Sequence, residues 1–282
     1  MTAQPRAEFR HPLATRLTHW LFFFSFVALV GTGLQIFNGQ AYLRLAHQRD
    51  AAHTIASITS PRDGEAVITV LGHAMHVEGW PHWTADPRGK LRPQYFPSWL
   101  VIPFGQNKRA GQNIHRWVSW PFLFAGLIYV GARLLRGDIG DLLLHRADLP
   151  KLFPMLLFEL RLRREPPPYG KYNPLQKLAY TFIVFVCGPV MVVTGYAAWG
   201  HYGFLAPLTA LFGGRDAARF WHTITMLVLL AFLLVHLTMV VTTGLVNNLR
   251  AMITGWRHPA AHHGAAESVL AAESARAPRT AS

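Results

Sequence analysis

Four stretches of this chain contain no lysine, arginine, aspartate or glutamate: 17–43, 117–132, 178–214 and 220–249. A helix crossing the hydrocarbon of a bilayer needs about 20 mostly apolar residues and satisfies its own backbone, because no water is there to do so. Each stretch holds a run near or above that length. The sequence therefore predicts an integral membrane protein with helix 1 over 17–37, helix 2 over 113–135, helix 3 over 175–199 and helix 4 over 219–246. Only 15% of the residues are charged, against about 25% in a soluble domain.

The remaining segments are a basic arm (1–16), a long insertion rich in Pro, Gly, Trp and His (38–112), a charged connection (136–174) and an Ala- and Ser-rich tail (258–282) whose composition predicts disorder. The expected fold is all-α, a four-helix membrane bundle carrying that insertion between helices 1 and 2. Within 142–163, Leu, Phe and Met mix with Arg and Lys. That pattern suits a helix lying on the membrane surface or an ordinary connecting helix.

The formal charge is +13. Its basic residues flank apolar runs and form no stripe on a soluble face, so they read as the excess of Lys and Arg on membrane loops and not as a nucleic-acid surface. Arg133, Arg136, Arg146, Lys151, Arg161, Arg163, Arg164, Lys171 and Lys177 surround the connection between helices 2 and 3, whereas Arg215 and Arg219 alone lie between helices 3 and 4. That bias places both termini in the cytoplasm of a bacterial inner membrane and the 38–112 insertion in the periplasm. The first apolar run is too long for a signal-peptide core and is expected to be kept. Trp20, Trp117, Trp120, Trp199 and Trp221 stand near helix ends, as interfacial aromatics do.

Of the fifteen histidines, four lie inside apolar helices: His19, His115, His222 and His236. An ionisable group at that depth is costly and points to function. His222 and His236 are fourteen residues apart, about 21 Å along one helix and within roughly 40° of one face. Helix 1 enters from one side, and helices 2 and 4 from the other. Matching depths then pairs His115 with His222 and His19 with His236. Each pair is able to clamp one haem iron from opposite sides, since neutral imidazole is what such an iron accepts. The only cysteine is Cys187, and no Cys-x-x-Cys-His motif occurs, so two b-type haems held without covalent attachment are expected.

Gly33 lies at the depth of the His115 pair, and Gly126 and Gly131 bracket the other depth on helix 2. Small residues there leave room for a flat cofactor, although they also serve close helix packing. Arg16 and Arg219 each precede a histidine by three residues, on the same helix face, and suit haem propionates or simple interfacial anchoring. His73, His76 and His82, with Glu78 among them, lie in the insertion. His73 and His76 would share one helical turn and hold a metal, or be surface residues. His258, His262 and His263 read as solvated tail residues.

The segments HPLATRLTHW (11–20), QNIHRWVSW (112–120), YNPLQKLAY (172–180) and LFGGRDAARFWH (211–222), with His236 beyond, resemble the bacterial di-haem cytochrome b subunits of nickel–iron hydrogenases, formate dehydrogenases and thiosulfate reductases. The likeness is greatest to the thiosulfate-reductase type. The resemblance implies the same two ligand pairs. It also implies a quinone site near the start of helix 3, where Tyr172, Asn173, Gln176 and Lys177 stand. Asn173 and Gln176 carry groups that hydrogen-bond a quinone carbonyl, but Asn173 before Pro174 is equally a helix N-cap. A further implication is a periplasmic redox partner, either a molybdopterin oxidoreductase or an iron–sulfur subunit. The chain would then be an electron-transfer subunit, not an enzyme on its own. The insertion is longer and richer in His and Trp than that family leads one to expect.

Two rival classes use the same histidines differently. A metal or proton transporter would carry intramembrane Asp or Glu, which the four runs lack. A non-redox anchor for a periplasmic enzyme would tolerate loss of all four histidines.

Overall fold

The computed structural model describes residues 7–45, 54–170, 172–199 and 203–257. The tail from 258, with its three histidines, and the first six residues of the basic arm lie outside them. The chain forms two compact units, one of Thr18–Leu233 and one joining the residues up to Leu17 with those from Leu234 onward.

Two short pieces frame the chain, β1 (Glu8–Phe9) and β8 (Trp256–Arg257). They pair antiparallel in the smaller unit, and the Phe9 and Trp256 rings meet edge to face at 5.3 Å. Gly255 has a positive φ of 90°, and a Cβ there would lie 3.0 Å from the His11 carbonyl, so this turn needs glycine.

The four apolar runs all become helices long enough to cross a membrane: α1 (Leu13–Asn38), α2 (Lys108–Leu135), the continuous span Pro174–Trp199, and α7 (Arg215–Thr242). They start earlier than expected because polar residues extend them. Asn107 caps α2 by accepting from the Ala110 N–H at 3.1 Å, a turn before the apolar run. Large side chains such as Phe24, Leu127, Ile128 and Leu234 stay exposed on these helices. Water would disfavour such faces and lipid favours them.

The third span is not uniform. It runs as α4 (Pro174–Phe182), one π-helical turn (Ile183–Cys187) and α5 (Gly188–Trp199). A π turn inserts one extra residue and re-aims everything after it. Before it, α3 (Leu149–Glu159) occupies part of the charged connection, with Met155 buried and Leu149, Phe153 and Leu156 exposed. The connection is tied to the spans by part-buried ion pairs. Arg133 on the last turn of α2, its side chain 7% exposed, donates to Asp138 at 2.6 Å and to the Tyr172 hydroxyl at 3.0 Å. Lys177 donates to Asp148 at 3.0 Å. Two short helices complete the order, α6 (Ala206–Leu211) and α8 (Leu245–Thr254). The latter is cut from α7 by Gly244 at a φ of 111°.

The insertion overturns the all-α expectation. Strands β2 (Tyr42–Arg44), β3 (Thr54–Arg62), β4 (Glu65–Val70) and β5 (His73–Glu78) form an antiparallel sheet in sequence order. A separate hairpin joins β6 (His82–Ala85) to β7 (Leu91–Gln94). The causes are local. β3 and β4 are dense in Thr, Ile and Val, which fit a pleated surface. Asp63-Gly64 and Leu71-Gly72 make two-residue turns, with positive φ at Gly64 and at both Leu71 and Gly72. His73 and His76 therefore lie on a strand three residues apart, so their side chains leave opposite faces and do not share a helical turn. Among the described residues no cluster of three His, Cys, Asp or Glu is arranged to hold a metal ion.

Beyond β7, residues 96–106 run against α1. The Ile102 N–H donates to the Gly31 carbonyl at 3.1 Å. The wholly buried Gln35 donates its amide to the carbonyls of Gly105 and Pro103 at 2.5 and 3.4 Å.

Candidate functional site

Within the larger unit, His115 and His222 come together between α1, α2, α5 and α7. Their ring centroids are 6.2 Å apart and their planes cross at 67°. A metal-bound imidazole nitrogen sits about 2 Å from its ion. Two imidazoles facing one ion across it therefore have centroids about 6 Å apart.

Hydrogen-bond accounting decides which nitrogen each ring offers. The Thr32 hydroxyl donates its one proton to the Ala28 or Leu29 carbonyl at 2.8 and 3.1 Å. It can then only accept from Nδ1 of His115, 2.8 Å away. At His222, Nδ1 lies 3.0 Å from the Met191 carbonyl, which can only accept, and 3.2 Å from the Thr194 hydroxyl. Thr194 donates to the Val190 carbonyl at 2.6 Å. The Met191 carbonyl requires the proton on Nδ1 of His222, and the same Thr32 pattern suits it on Nδ1 of His115, which leaves the Nε2 lone pair of each ring for a ligand. This is the arrangement by which a second hydrogen bond orients a metal-binding histidine.

The two halves repeat one pattern. Thr32-Gly33 on α1 serves His115, and Thr194-Gly195 on α5 serves His222. A Cβ on Gly33 would lie 3.8 Å from Cε1 of His115, and one on Gly195 only 3.2 Å from Cε1 of His222. Each threonine holds the ring, and the glycine beside it lets the helix approach. Gly33 was expected at this depth. Thr32, Thr194 and Gly195 were missed, yet a Thr-Gly pair inside two separate apolar runs was a readable signal. Gly126 faces Phe22 at 3.6 Å instead, and nothing lies within 4 Å of a Cβ on Gly131.

The other expected residues are placed as follows. His19 is half-buried on α1 in the larger unit, with the Trp20 ring at 5.4 Å. His236 is half-buried on α7, in the smaller unit. Arg16 donates to the Ile253 carbonyl. Arg219 donates to the carbonyls of Gln40 and Tyr42 and to the Gln40 side chain, and stacks 4.3 Å over the Tyr42 ring. Its guanidinium thus tethers the start of α7 to the strand after α1.

Asn173 and Gln176 form a reciprocal cap on α4. Asn173 accepts from the Gln176 N–H at 2.8 Å, and Gln176 accepts from the Asn173 N–H at 3.1 Å. Just beyond this cap, an apolar groove of about 340 Å³ runs between α4 and α7. Its walls include Leu175, Leu178, Phe182 and Phe232.

Comparison with known proteins gives the family. The model of the prokaryotic cytochrome b561 family matches residues 10–255. A protein of Azospira oryzae, named as the protein-methionine-sulfoxide reductase subunit YedZ1, is 30% identical over 189 residues, covering 64% of this chain and 85% of its own. A nickel–iron hydrogenase B-type cytochrome subunit, so named, of Cupriavidus necator is 25% identical over 126 residues, covering 40% of this chain and 50% of its own. No solved structure matches. The match of the family model to residues 10–255, across all four spans, shows that the chain belongs to the prokaryotic cytochrome b561 family.

Proposed function

We propose that this member of a family of b-type membrane electron-transfer subunits holds two haems and passes electrons between quinone and a redox partner. His115 and His222 would ligate one iron, and His19 and His236 the other. The observation that carries the reading is the pair of rings, His115 and His222, each bonded through Nδ1 and lying at the separation one shared ion requires. The second pair rests on matched depth along α1 and α7, fourteen residues separating His19 from Gly33, which stands against His115, and fourteen separating His222 from His236.

When bound, each haem supplies one-electron chemistry. The chain's own contribution is positional. Thr32 and Thr194 hold the imidazoles against rotation and make them better donors to the iron. Gly33 and Gly195 let α1 and α5 close on the rings. The surrounding apolar helices keep water away, which is one of the levers on potential.

The groove beside α4 supports the quinone end. Its volume suits a small-molecule site, and its apolar walls suit a quinone ring and its isoprenoid tail. The cap at the start of α4 uses the Gln176 carbonyl but not its amide nitrogen, a donor suited to a quinone oxygen. Asn173 positions Gln176 through the cap. Arg16 and Arg219 remain propionate residues only if they exchange backbone carbonyls for carboxylates.

The relatives named for a sulfoxide reductase and a hydrogenase support a partner that carries the substrate chemistry, of molybdopterin or iron–sulfur type. The loop charges support both termini in the cytoplasm of a bacterial inner membrane, with the 38–112 insertion facing the periplasmic partner.

The test is haem per chain, by pyridine haemochrome on protein purified in mild detergent. Two b-type haems are expected. A haem-free protein from cells competent in haem synthesis would overturn the reading.

A further inference from the structure

The segment Pro97–Gly105 (PSWLVIPFG) carries no charge and is neither helix nor strand. We infer that it is buried in the bilayer beside α1, so that part of the insertion is a membrane-embedded loop whose partner is the phospholipid acyl chains on that side.

Depth carries the inference. The apolar run of α1, residues 17–37, is about 31 Å long at 1.5 Å per residue and matches a hydrocarbon core of about 30 Å. Ile102 contacts Gly31, and Gly31 lies six residues inside the end of that run, about 9 Å below the edge of the hydrocarbon. The contact is close. A Cβ on Gly31 would fall 2.8 Å from Cγ1 of Ile102 and 3.2 Å from the Leu100 carbonyl. The segment therefore sits against α1 well inside the apolar zone.

Its side chains divide as this location requires. Val101 is wholly buried, facing protein. Trp99 and Phe104 are each 75% exposed, and Leu100 is 37% exposed. These are large apolar groups that water would disfavour, at the level where lipid begins.

Irregular backbone is tolerated at membrane depth only where its polar groups find partners. Here they do. Pro97 and Pro103 have no N–H to satisfy. The Leu100 N–H bonds the Pro97 carbonyl at 2.9 Å, and the Ile102 N–H bonds the Gly31 carbonyl. Gln35 supplies its amide to the Pro103 and Gly105 carbonyls, and Gln94 supplies its own to the Phe96 carbonyl at 3.0 Å. Two buried glutamines thus supply side-chain partners to three carbonyls in and beside this loop.

Spin labels test this. Phe104→Cys, Trp99→Cys and Met75→Cys are made separately in a Cys187→Ser background, and each protein is reconstituted in phosphatidylethanolamine–phosphatidylglycerol vesicles. Met75 is an exposed residue of β5 and serves as the aqueous reference. Labels at 99 and 104 should collide severalfold more with oxygen, relative to a water-soluble nickel chelate, than the label at 75. The same ratio at all three positions would overturn the inference and leave this face to a soluble partner. The unmodified chain gives a second reading through photo-crosslinking to diazirine-bearing phospholipid. Adducts on the 97–105 peptide are expected, and adducts confined to the four spans would reject the embedded loop.

Discussion

The His115–His222 site and the Asn173–Gln176 cap are both small polar groups at the edge of apolar helices, and they use their hydrogen bonds in opposite ways. At the histidines, every bond falls on Nδ1, and Nε2 is kept clear for a ligand. At the cap, each side chain accepts from the backbone of the other, so much of their capacity is spent on starting α4. Residue type alone makes both look like ligand sites. What separates them is whether the local bonds leave an atom over.

The sharpest way to break this contrast is to remove the rings. His222→Ala and His115→Ala should each lower haem from two per chain to one, while Asn173→Ala with Gln176→Ala keeps both, as read by pyridine haemochrome. Two haems retained in either histidine variant would sink the pairing.

A smaller effect follows from the Nδ1 partners. Loss of an outer partner of a metal-bound histidine costs roughly 10–100-fold in affinity. Thr32→Val and Thr194→Val should fall at the low end of that range, because carbonyls of the preceding turn still reach each ring: Leu29 at His115 and Met191 at His222. Haem retention during dilution in detergent measures this, and retention equal to the parent in both variants would reject the orienting role.

The cap should behave as a cap. Asn173→Ala should destabilise the start of α4 by about 1 kcal/mol, seen as faster amide exchange in 173–178. Quinol turnover then sharpens the comparison. Gln176→Ala should raise the KM for quinol more than Asn173→Ala does if Gln176 supplies the donor, and equal KM values would reduce both residues to helix-start chemistry.

The smallest effect lies in the charged connection. The hydrogen bond from Lys177, aided by the His145 N–H, holds the Asp148 carboxyl below its ordinary value of 3.8. A depressed carboxyl stabilises the fold fully above its unfolded pKa and loses that contribution as pH falls through the folded one. Asp148→Asn should therefore admit pepsin to 136–174 faster than the parent at about pH 4, and the gap should close near pH 2. Equal cleavage at the higher pH would remove the ion pair from the account of how the connection is held.

Much of this molecule was legible along the chain. Charge-free runs must form spans, since only helices satisfy their own backbone in hydrocarbon, and histidines at set positions in them have set depths. The insertion was less legible, because a stretch rich in Pro, Gly and Trp masks short strands. Their signals, β-branched runs around Asp63-Gly64 and Leu71-Gly72, were present but brief.

The sequence by itself determined the number of spans, the depth of His115 and His222, and the family motifs. The tertiary structure alone decided which nitrogen each ring exposes, that Arg219 binds backbone, and that Pro97–Gly105 lies beside Gly31. Periodicity and depth are properties of one helix and can be read from one run of residues. The partner of a hydrogen bond and the closeness of two backbones belong to pairs of segments far apart in the chain, such as Thr32 with His115 and Thr194 with His222, and exist only once they are packed.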